Sequence, residues 1–235
     1  MIVLNTRPAC HRDAFARAFA PLGLPIVVSP VLAPRVIAPW PDDPGAFDAV
    51  VFTSPYAPTL RPDDARWTAK TVFAVGPATA AAARAAGFGR VIRTGGTAAE
   101  LIPVLARQPF RQAFHPSGAD VATDLAALFP TRLVRRAVYR MDPVGGLAPA
   151  AVAALAASID VVVPLFSHRS AAAFAAAVEA SAPNRRARLV ALGISAAALN
   201  ITAPPWALAL VAPQPTAGAM ARTLATRTLD KRRAA

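Results

Sequence analysis

The chain has 235 residues, enough for two domains of ordinary size or for one large domain. Hydrophobic residues make up 55% of the sequence, which argues against global disorder. The single cysteine, Cys10, excludes an intrachain disulfide, and no apolar run clearly reaches transmembrane length. With no signal peptide evident, we expect a cytoplasmic protein that does not contact the membrane. The net charge of +12 favours an anionic ligand, although a GC-rich genome, whose coding bias enriches arginine, would produce the same excess of positive charge.

Short apolar strands alternate with alanine-rich helical segments along the chain. The strands are predicted at 1–5, 25–31, 48–53, 71–75, 90–93, 111–115, 132–139, 160–166, 188–192 and 207–211. The helices are predicted at 9–21, 77–86, 97–107, 118–129, 147–157, 169–180, 194–199 and 216–228. Because the strands are nearly continuous runs of Val, Ile, Leu and Phe, we expect parallel sheets that are covered on both faces. The alternation predicts an α/β fold of doubly wound, flavodoxin-like sheets.

Three motifs of the first half recur in the second half in the same order. VVFTSPYA (50–57), VFAVGPATAAAARAAG (72–87) and GTAAELIPVLA (96–106) correspond to VPLFSHRSA (163–171), LVALGISAAAL (189–199) and PTAGAMARTLA (215–225). The separations are similar, with 113 residues from Ser54 to Ser167, 117 from Gly76 to Gly193 and 119 from Thr97 to Thr216. Two proline-containing segments, 29–45 and 135–146, interrupt the alternation at equivalent points and are interpreted as connectors. The repeat predicts two similar βα halves with a cleft between them.

The ordered set of motifs resembles the uroporphyrinogen-III synthase family over essentially the whole chain. The matching segments are NTRP (5–8), GLPIVVSPVL (23–32), VVFTSP (50–55), VFAVGPATA (72–80), GTAAELI (96–102), HPSGADVATDL (115–125), AVYR (137–140), LFS (165–167), ALGISAAAL (191–199) and PTAGAM (215–220). Each motif alone is a weak signal, and the specificity lies in their order.

The resemblance implies two flavodoxin-like domains joined by a two-stranded linker. One domain would comprise residues 1–32 and 143–235, the other residues 42–133, and the linker strands residues 33–41 and 134–142. It also implies a cofactor-free lyase that closes the linear tetrapyrrole hydroxymethylbilane while inverting its last ring and releasing water. Hydroxymethylbilane synthase would be the upstream donor of that substrate. We expect a monomer, with neither a metal ion nor a nucleic-acid partner.

The residues at strand-to-helix junctions suit a substrate with eight carboxylates. In open α/β sheets, ligands bind beyond the carboxyl ends of the strands. There, glycine lets the backbone approach a ligand closely, and helix N-termini attract anions. The substrate-binding residues predicted at such junctions are Ser54, Gly76, Thr79, Thr97, Ser117, Gly118, Ser167, Gly193, Ser195 and Thr216. For each residue alone, the alternative is a helix cap or a tight turn.

Two arginines and one tyrosine complete the predicted site. Arg7, after the first strand, and Arg140, in the second connector, are predicted to bind carboxylates. Tyr139 corresponds to the family's proposed catalytic tyrosine, and its phenol is expected to assist the departing hydroxyl. His115, at a predicted strand end, is expected to be a turn residue rather than a base.

The sequence leaves other functions open. Ala196 stands where the family often has a hydroxyl residue, and no basic residue precedes Gly118, so a non-catalytic tetrapyrrole-binding or regulatory homologue is one alternative. A basic nucleic-acid-associated protein is another, but aromatic residues are only 7% of the chain and do not alternate with the basic ones. A two-lobed small-molecule receptor is a third.

Overall fold

The computed structural model describes residues 1–200 and 204–233, and it describes side chains up to residue 227. Within these ranges the strands are β1 (Ile2–Asn5), β2 (Ile26–Val28), β3 (Leu32–Val36), β4 (Ala49–Phe52), β5 (Thr71–Ala74), β6 (Val91–Arg93), β7 (Ala113–Gly118), β8 (Leu133–Pro143), β9 (Asp160–Leu165), β10 (Arg188–Gly193) and β11 (Leu208–Val211). The α-helices are α1 (Arg12–Phe19), α2 (Ala65–Thr68), α3 (Gly76–Ala85), α4 (Ala98–Ala106), α5 (Leu125–Leu128), α6 (Pro149–Ala156), α7 (His168–Ser181) and α8 (Ala217–Arg233). None of these helices has both the length and the hydrophobicity that a membrane-spanning helix needs.

The chain divides into two compact units, and each has its own sheet. Unit 1 comprises Met1–Ala33 and Asp142–Ala235, and unit 2 comprises Pro34–Met141. Both boundaries fall inside strands, one in β3 and one in β8. The domain and linker boundaries expected from the sequence stay predictions.

The unit-1 sheet has the strand order β11-β10-β9-β1-β2, and its neighbouring strands pair in parallel. Counted within the unit, this is the order 2-1-3-4-5 of flavodoxin-like folds. Val3, Val162 and Leu192 point to one face and pack with Phe15 of α1 and Met220 of α8. The intervening residues of these strands, among them Leu4 and Val163, are also completely buried. The sheet is therefore covered on both faces, because side chains alternate along a strand.

The unit-2 sheet has the order β3-β8-β7-β4-β5-β6, with parallel pairing from β8 to β6. Val50 and Phe52 of β4 face an aromatic cluster that includes Trp40 and Trp67, whose ring centroids are 5.0 Å apart. Ala49 and Val51 face the opposite way, toward Leu101 and Leu105 of α4. This second two-faced core confirms the predicted α/β class with doubly wound sheets.

The predicted elements differ from the structure mainly in three places. The helix predicted at 118–129 is wrong over its first half, because β7 extends to Gly118 and α5 begins only after Asp124. The Asp124 carboxylate accepts hydrogen bonds from the amides of Ala126 and Ala127, so it caps α5. The apolar pattern also missed the edge strand β3 and the single-turn helix α2. β3 contains Pro34, which is tolerated at a sheet edge but hides the strand pattern.

Candidate functional site

A cavity of about 280 Å³ lies at the carboxyl ends of the unit-2 strands. Its lining includes Thr53 and Ser54 after β4, Val75 after β5, Gly96 after β6, Gly118 at the end of β7, and Tyr139 in β8. From β4 the chain proceeds across the sheet through β5 and β6, whereas β7 and β8 extend on the other side of β4. Ligands in open α/β sheets bind where the strand order reverses in this way. The cavity therefore occupies the expected ligand position of the unit.

Tyr139 is held in this cavity by its packing against Gly118. The side chain is 6% exposed, and Tyr139 pairs with Gly118 in the β7–β8 ladder. A Cβ atom placed on Gly118 would lie 3.2 Å from two carbons of the Tyr139 ring and 3.3 Å from its hydroxyl oxygen. The edge-on ring of Tyr56, at 4.9 Å between centroids, limits the ring further. The phenol is thus fixed with its hydroxyl end beside Gly118.

Ser54 and Ser117 have different surroundings, although both lie near the carboxyl ends of unit-2 strands. The half-buried Ser54 lines the cavity, and its Oγ accepts a hydrogen bond from the amide of Tyr56 at 3.2 Å. Ser117 is buried, its hydroxyl donates to the carbonyl of Gly118, and Nε of Arg135 donates to it at 2.9 Å. Arg135 also donates to the carbonyls of Gly118 and Ala119. Arg135 therefore supports the end of β7, and the Ser117 hydroxyl is fully used within the protein.

His115 is a strand residue and not the turn residue that was expected. It lies within β7, its side chain has no exposed surface, and its Nε2 is 3.1 Å from Oγ1 of Thr53. Burial lowers the pKa of His115 to about 4, with a further lowering by the charge of Arg135 and a smaller opposing effect of Asp124. The imidazole is therefore neutral at pH 7. The sequence placed His115 in a matching motif but contained no sign of its contact with Thr53.

Gly76, Thr79 and Thr97 lie around the starts of α3 and α4. Gly76 has a φ of +70°, which favours glycine, and a Cβ atom there would lie 3.3 Å from Cα of Gly96. Thr79 is buried inside α3. Thr97 is the N-cap of α4, and its amide and hydroxyl both donate to the Glu100 carboxylate in a capping box. A binding role for the Thr97 hydroxyl would require this capping box to open.

In unit 1, Arg7 lies beyond the carboxyl end of β1. It follows β1, and its guanidinium lies 4.0 Å from the centroid of the Phe166 ring, just after the neighbouring strand β9. Burial lowers its pKa to about 10, so the group stays charged at neutral pH. Among the side chains that the structure describes, no carboxylate forms an ion pair with Arg7. A positive charge is thus available at the strand-order reversal of unit 1.

The other predicted residues of unit 1 lie at the starts of helices or turns. Ser167 is the N-cap of α7 in a capping box with Ser170, and the Thr216 hydroxyl accepts from the amide of Ala219 in α8. Ser195 begins a 3-10 turn, Ala196–Leu199, without a side-chain cap. Gly193 ends β10, where a Cβ atom would lie 2.5 Å from Cγ of Leu199. Of the three hydroxyls, only that of Ser195 has no capping role.

The structure thus brings some predicted residues together. Ser54, Gly118 and Tyr139 line one cavity, whereas Ser117 and Thr79 are buried and do not line it, and Arg140 is exposed after Tyr139. Thr53 and Asp120, which also line the cavity, were not predicted. The signal for Thr53 was its place beside Ser54 in VVFTSP. No group of three or more His, Cys, Asp or Glu residues in the described part of the chain could hold a metal ion.

The sequence model of the family described as uroporphyrinogen-III synthase HemD matches residues 13–222. The chain belongs to the uroporphyrinogen-III synthase family. Enzymes of this family are cyclising lyases of haem biosynthesis, and they act on hydroxymethylbilane. The family membership confirms the resemblance found in the sequence and supports the predicted reaction.

The solved structures similar to this chain include uroporphyrinogen III synthases of the extremely thermophilic bacterium Thermus thermophilus. A mutant of that protein has 18% identity and a TM-score of 0.47, with 98% of this chain and 100% of that chain covered. The wild-type protein in another crystal form has 18% identity and a TM-score of 0.39, with 100% of both chains covered. No curated protein matches the chain.

Proposed function

We propose that this chain cyclises hydroxymethylbilane to uroporphyrinogen III, with inversion of the last pyrrole ring and loss of water. The family match supports this reaction. The structural observation that carries the proposal is the buried phenol of Tyr139, which lines a polar cavity at the carboxyl edge of the unit-2 sheet.

The reaction depends more on the orientation of the substrate than on a strong acid or base in the protein. The pyrroles of the substrate are electron-rich and promote departure of the hydroxyl, and the unassisted substrate closes to the wrong isomer. The protein must therefore hold the chain so that the substituted carbon of the last ring is attacked. A tyrosine phenol ordinarily carries its proton at neutral pH. Tyr139 would donate a hydrogen bond and then that proton to the departing hydroxyl, which leaves as water, and the phenolate would regain the proton that the pyrroles release on ring closure.

Each unit has modest sites that would bind carboxylates of the substrate. In unit 2 these are the Ser54 hydroxyl and the backbone around Gly76 and Gly118, and Thr97 would join them only when its capping box with Glu100 opens. In unit 1 they are the Arg7 guanidinium, Ser195 and the amides at the starts of α7 and α8, next to Ser167 and Thr216. Gly193 would allow the turn before Ser195, whereas Thr79 and Ser117 would support neighbouring backbone. The exposed Arg140 would bind a carboxylate at the substrate's periphery.

We further propose that the protein acts as a cytoplasmic monomer that receives its substrate from hydroxymethylbilane synthase. A single mass corresponding to 24.3 kDa in light scattering would agree with a monomer. A concentration-dependent mass of twice that value would contradict it.

The deciding experiment supplies hydroxymethylbilane and resolves isomer III from isomer I. We expect the protein to produce isomer III, and Tyr139→Phe to lower the rate by about 100-fold, the lower end of the usual contribution of a general acid, without abolishing it. Tyr56→Phe is the matched control, because it removes the other tyrosine hydroxyl of the chain beside the same ring. Isomer I alone, at the uncatalysed rate, would favour the non-catalytic homologue. Full turnover by Tyr139→Phe, with isomer III formed, would remove only the role of Tyr139.

A further inference from the structure

Thr53 and His115 form a polar contact at the wall of the cavity. Thr53 is the first residue after β4 and lines the cavity beside Tyr139. His115 is completely buried in the adjacent strand β7, with Nε2 at 3.1 Å from the Thr53 Oγ1. Within the described residues, His115 Nδ1 has no hydrogen-bond partner, and Thr53 Oγ1 has none besides His115. The contact between Nε2 of His115 and Oγ1 of Thr53 is therefore the hydrogen bond that orients both side chains.

The hydrogen on this contact has two possible positions. If Nδ1 carried the ring hydrogen, a buried N–H would lack an acceptor, and Thr53 would have to donate to the bare Nε2. If Nε2 carries it, Nδ1 is a bare acceptor, Nε2–H donates to Thr53, and the Thr53 hydroxyl hydrogen is available for another partner. Among buried backbone groups, an N–H without a partner is rarer than an incompletely satisfied acceptor, and the same desolvation cost applies to a ring N–H. The second arrangement is therefore favoured.

We infer that His115 is a positioning residue, which donates from Nε2 to Thr53 and thereby commits the Thr53 hydroxyl to donate into the cavity. This inference rests on the proposed function, since the acceptor would be a carboxylate of the linear tetrapyrrole. The low pKa of the buried ring agrees with it, because a neutral imidazole keeps one bare nitrogen at pH 7. The charged groups that act on the ring are Arg135 of β8 and Asp124 before α5.

The tautomer can be measured in the full-length protein without any substrate. With ¹⁵N-labelled histidine at pH 7, the resonances of His115 are assigned by their loss in His115→Gln. We expect the chemical shifts of a neutral ring with the hydrogen on Nε2. A hydrogen on Nδ1, or a protonated ring, would overturn the inference whether or not the chain is an active synthase.

Kinetics then test the link to substrate binding. We expect Thr53→Val to raise KM for hydroxymethylbilane by about tenfold, because a hydrogen bond to a charged group is lost. Thr53→Ser, which keeps the hydroxyl, should stay within about threefold of wild type. Thr71→Val, at the amino end of β5, is the matched control and should leave KM unchanged.

The coupling between the two residues separates positioning from a merely structural role. His115→Leu should raise KM when Thr53 is present but add little in the Thr53→Val background. His115→Gln should restore KM, because its side-chain amide nitrogen can donate from a place close to that of Nε2. Independent effects of His115→Leu and Thr53→Val, or no rescue by glutamine, would overturn the inference. Absence of isomer III from the wild-type protein would instead reject the proposed function and leave the tautomer to be judged by its own measurement.

Discussion

Gly118 illustrates how one residue without a side chain shapes the candidate site. The Tyr139 ring occupies the space in which a Cβ atom at position 118 would lie, at 3.2 to 3.3 Å from the nearest ring atoms. Such a separation is shorter than ordinary van der Waals contact, so the ring would have to move by a few tenths of an ångström. Catalysis depends on positioning at that scale.

We therefore predict that Gly118→Ala lowers kcat for isomer III formation by about tenfold, with a small change in thermal stability. Gly89→Ala is the control, because a Cβ atom there would meet nothing within 4 Å. Steady-state kinetics and thermal unfolding of both variants provide the comparison. Wild-type kcat in Gly118→Ala would show that the ring adapts without consequence.

The burial of His115 has a consequence for stability at acidic pH. Its pKa is about 4 in the folded protein, compared with an ordinary value of 6.5. Between these values the unfolded chain binds a proton that the folded protein does not bind, so the free energy of unfolding falls as the pH drops from 6.5 toward 4. His11, whose pKa is also lowered to about 4 by burial, contributes in the same direction.

We predict that urea unfolding of the wild-type protein shows this loss, to which His115 contributes up to roughly 3 kcal/mol at pH 4. His115→Gln should flatten the pH dependence of the free energy of unfolding between pH 6.5 and pH 4. An unchanged slope in His115→Gln would mean that the ring takes up its proton without unfolding.

At the level of residues, the sequence predicted which residues lie where strands lead into helices, but it did not predict which of their side chains line the cavity. Ser54 and Ser117 both follow the pattern of a hydroxyl beside a strand end, yet only Ser54 lines the cavity. The difference arises from Arg135, which is 18 residues beyond Ser117 and reaches it through strand pairing. Such long-range partners leave no local pattern in a single sequence.

Among the elements, α4 and α7 begin in the same way. Thr97 and Ser167 do not correspond in the repeat, but each caps a helix in the same way. The cap side chain accepts a hydrogen bond from the amide of the third helical residue, and the side chain of that residue accepts one from the amide of the cap. At α4 the reciprocal residue is Glu100, whose carboxylate accepts from the Thr97 amide at 2.8 Å. A carboxylate of the protein thus already lies at this helix N-terminus, where a substrate anion would otherwise be favoured.

We predict that Thr97→Ala lowers the free energy of unfolding by about 1 kcal/mol, the usual effect of removing a cap. Thr97→Ser, which retains the capping oxygen, should be close to wild type. Denaturant unfolding measures this effect, and KM for hydroxymethylbilane measured on the same variants tests whether Thr97 also binds substrate. Unchanged stability in Thr97→Ala would show that Glu100 alone suffices to cap α4.

The strands were easier to predict than the segments between them. A buried parallel strand is an apolar run, and this signal is independent of the partner strand. The segment 118–129 has residues that favour a helix, but Gly118 pairs with Tyr139 and Asp124 caps a shorter helix. Tertiary pairing therefore overrode local preference at the point where the candidate site is built.

For the whole molecule, the sequence repeat and the compact units do not coincide. The repeat matches β4 with β9 and β5 with β10, and the segments LGLPIVVSPV (22–31) and FPTRLVRRAV (129–138), which contain β2 and part of β8, also correspond. With these correspondences the two sheets have the same spatial order, although unit 1 takes β1 and β2 from the first repeat and β9 to β11 from the second. The repeat alone predicted two similar βα halves, whereas the assembly of one domain from both ends of the chain was implied only by the resemblance to the family.

The net charge of +12 allows a test on the scale of the molecule, because it has two explanations. If the arginines attract a substrate with many carboxylates, salt will screen that attraction over about 8 to 10 Å at physiological ionic strength. We predict that raising the salt concentration from about 0.02 M to about 0.3 M increases KM for hydroxymethylbilane several-fold and changes kcat less than about twofold. Sucrose at equal osmolarity is the control, since it leaves charges unscreened. A KM that does not respond to salt would mean that the charge does not assist binding, and the arginine excess would then be explained by coding bias.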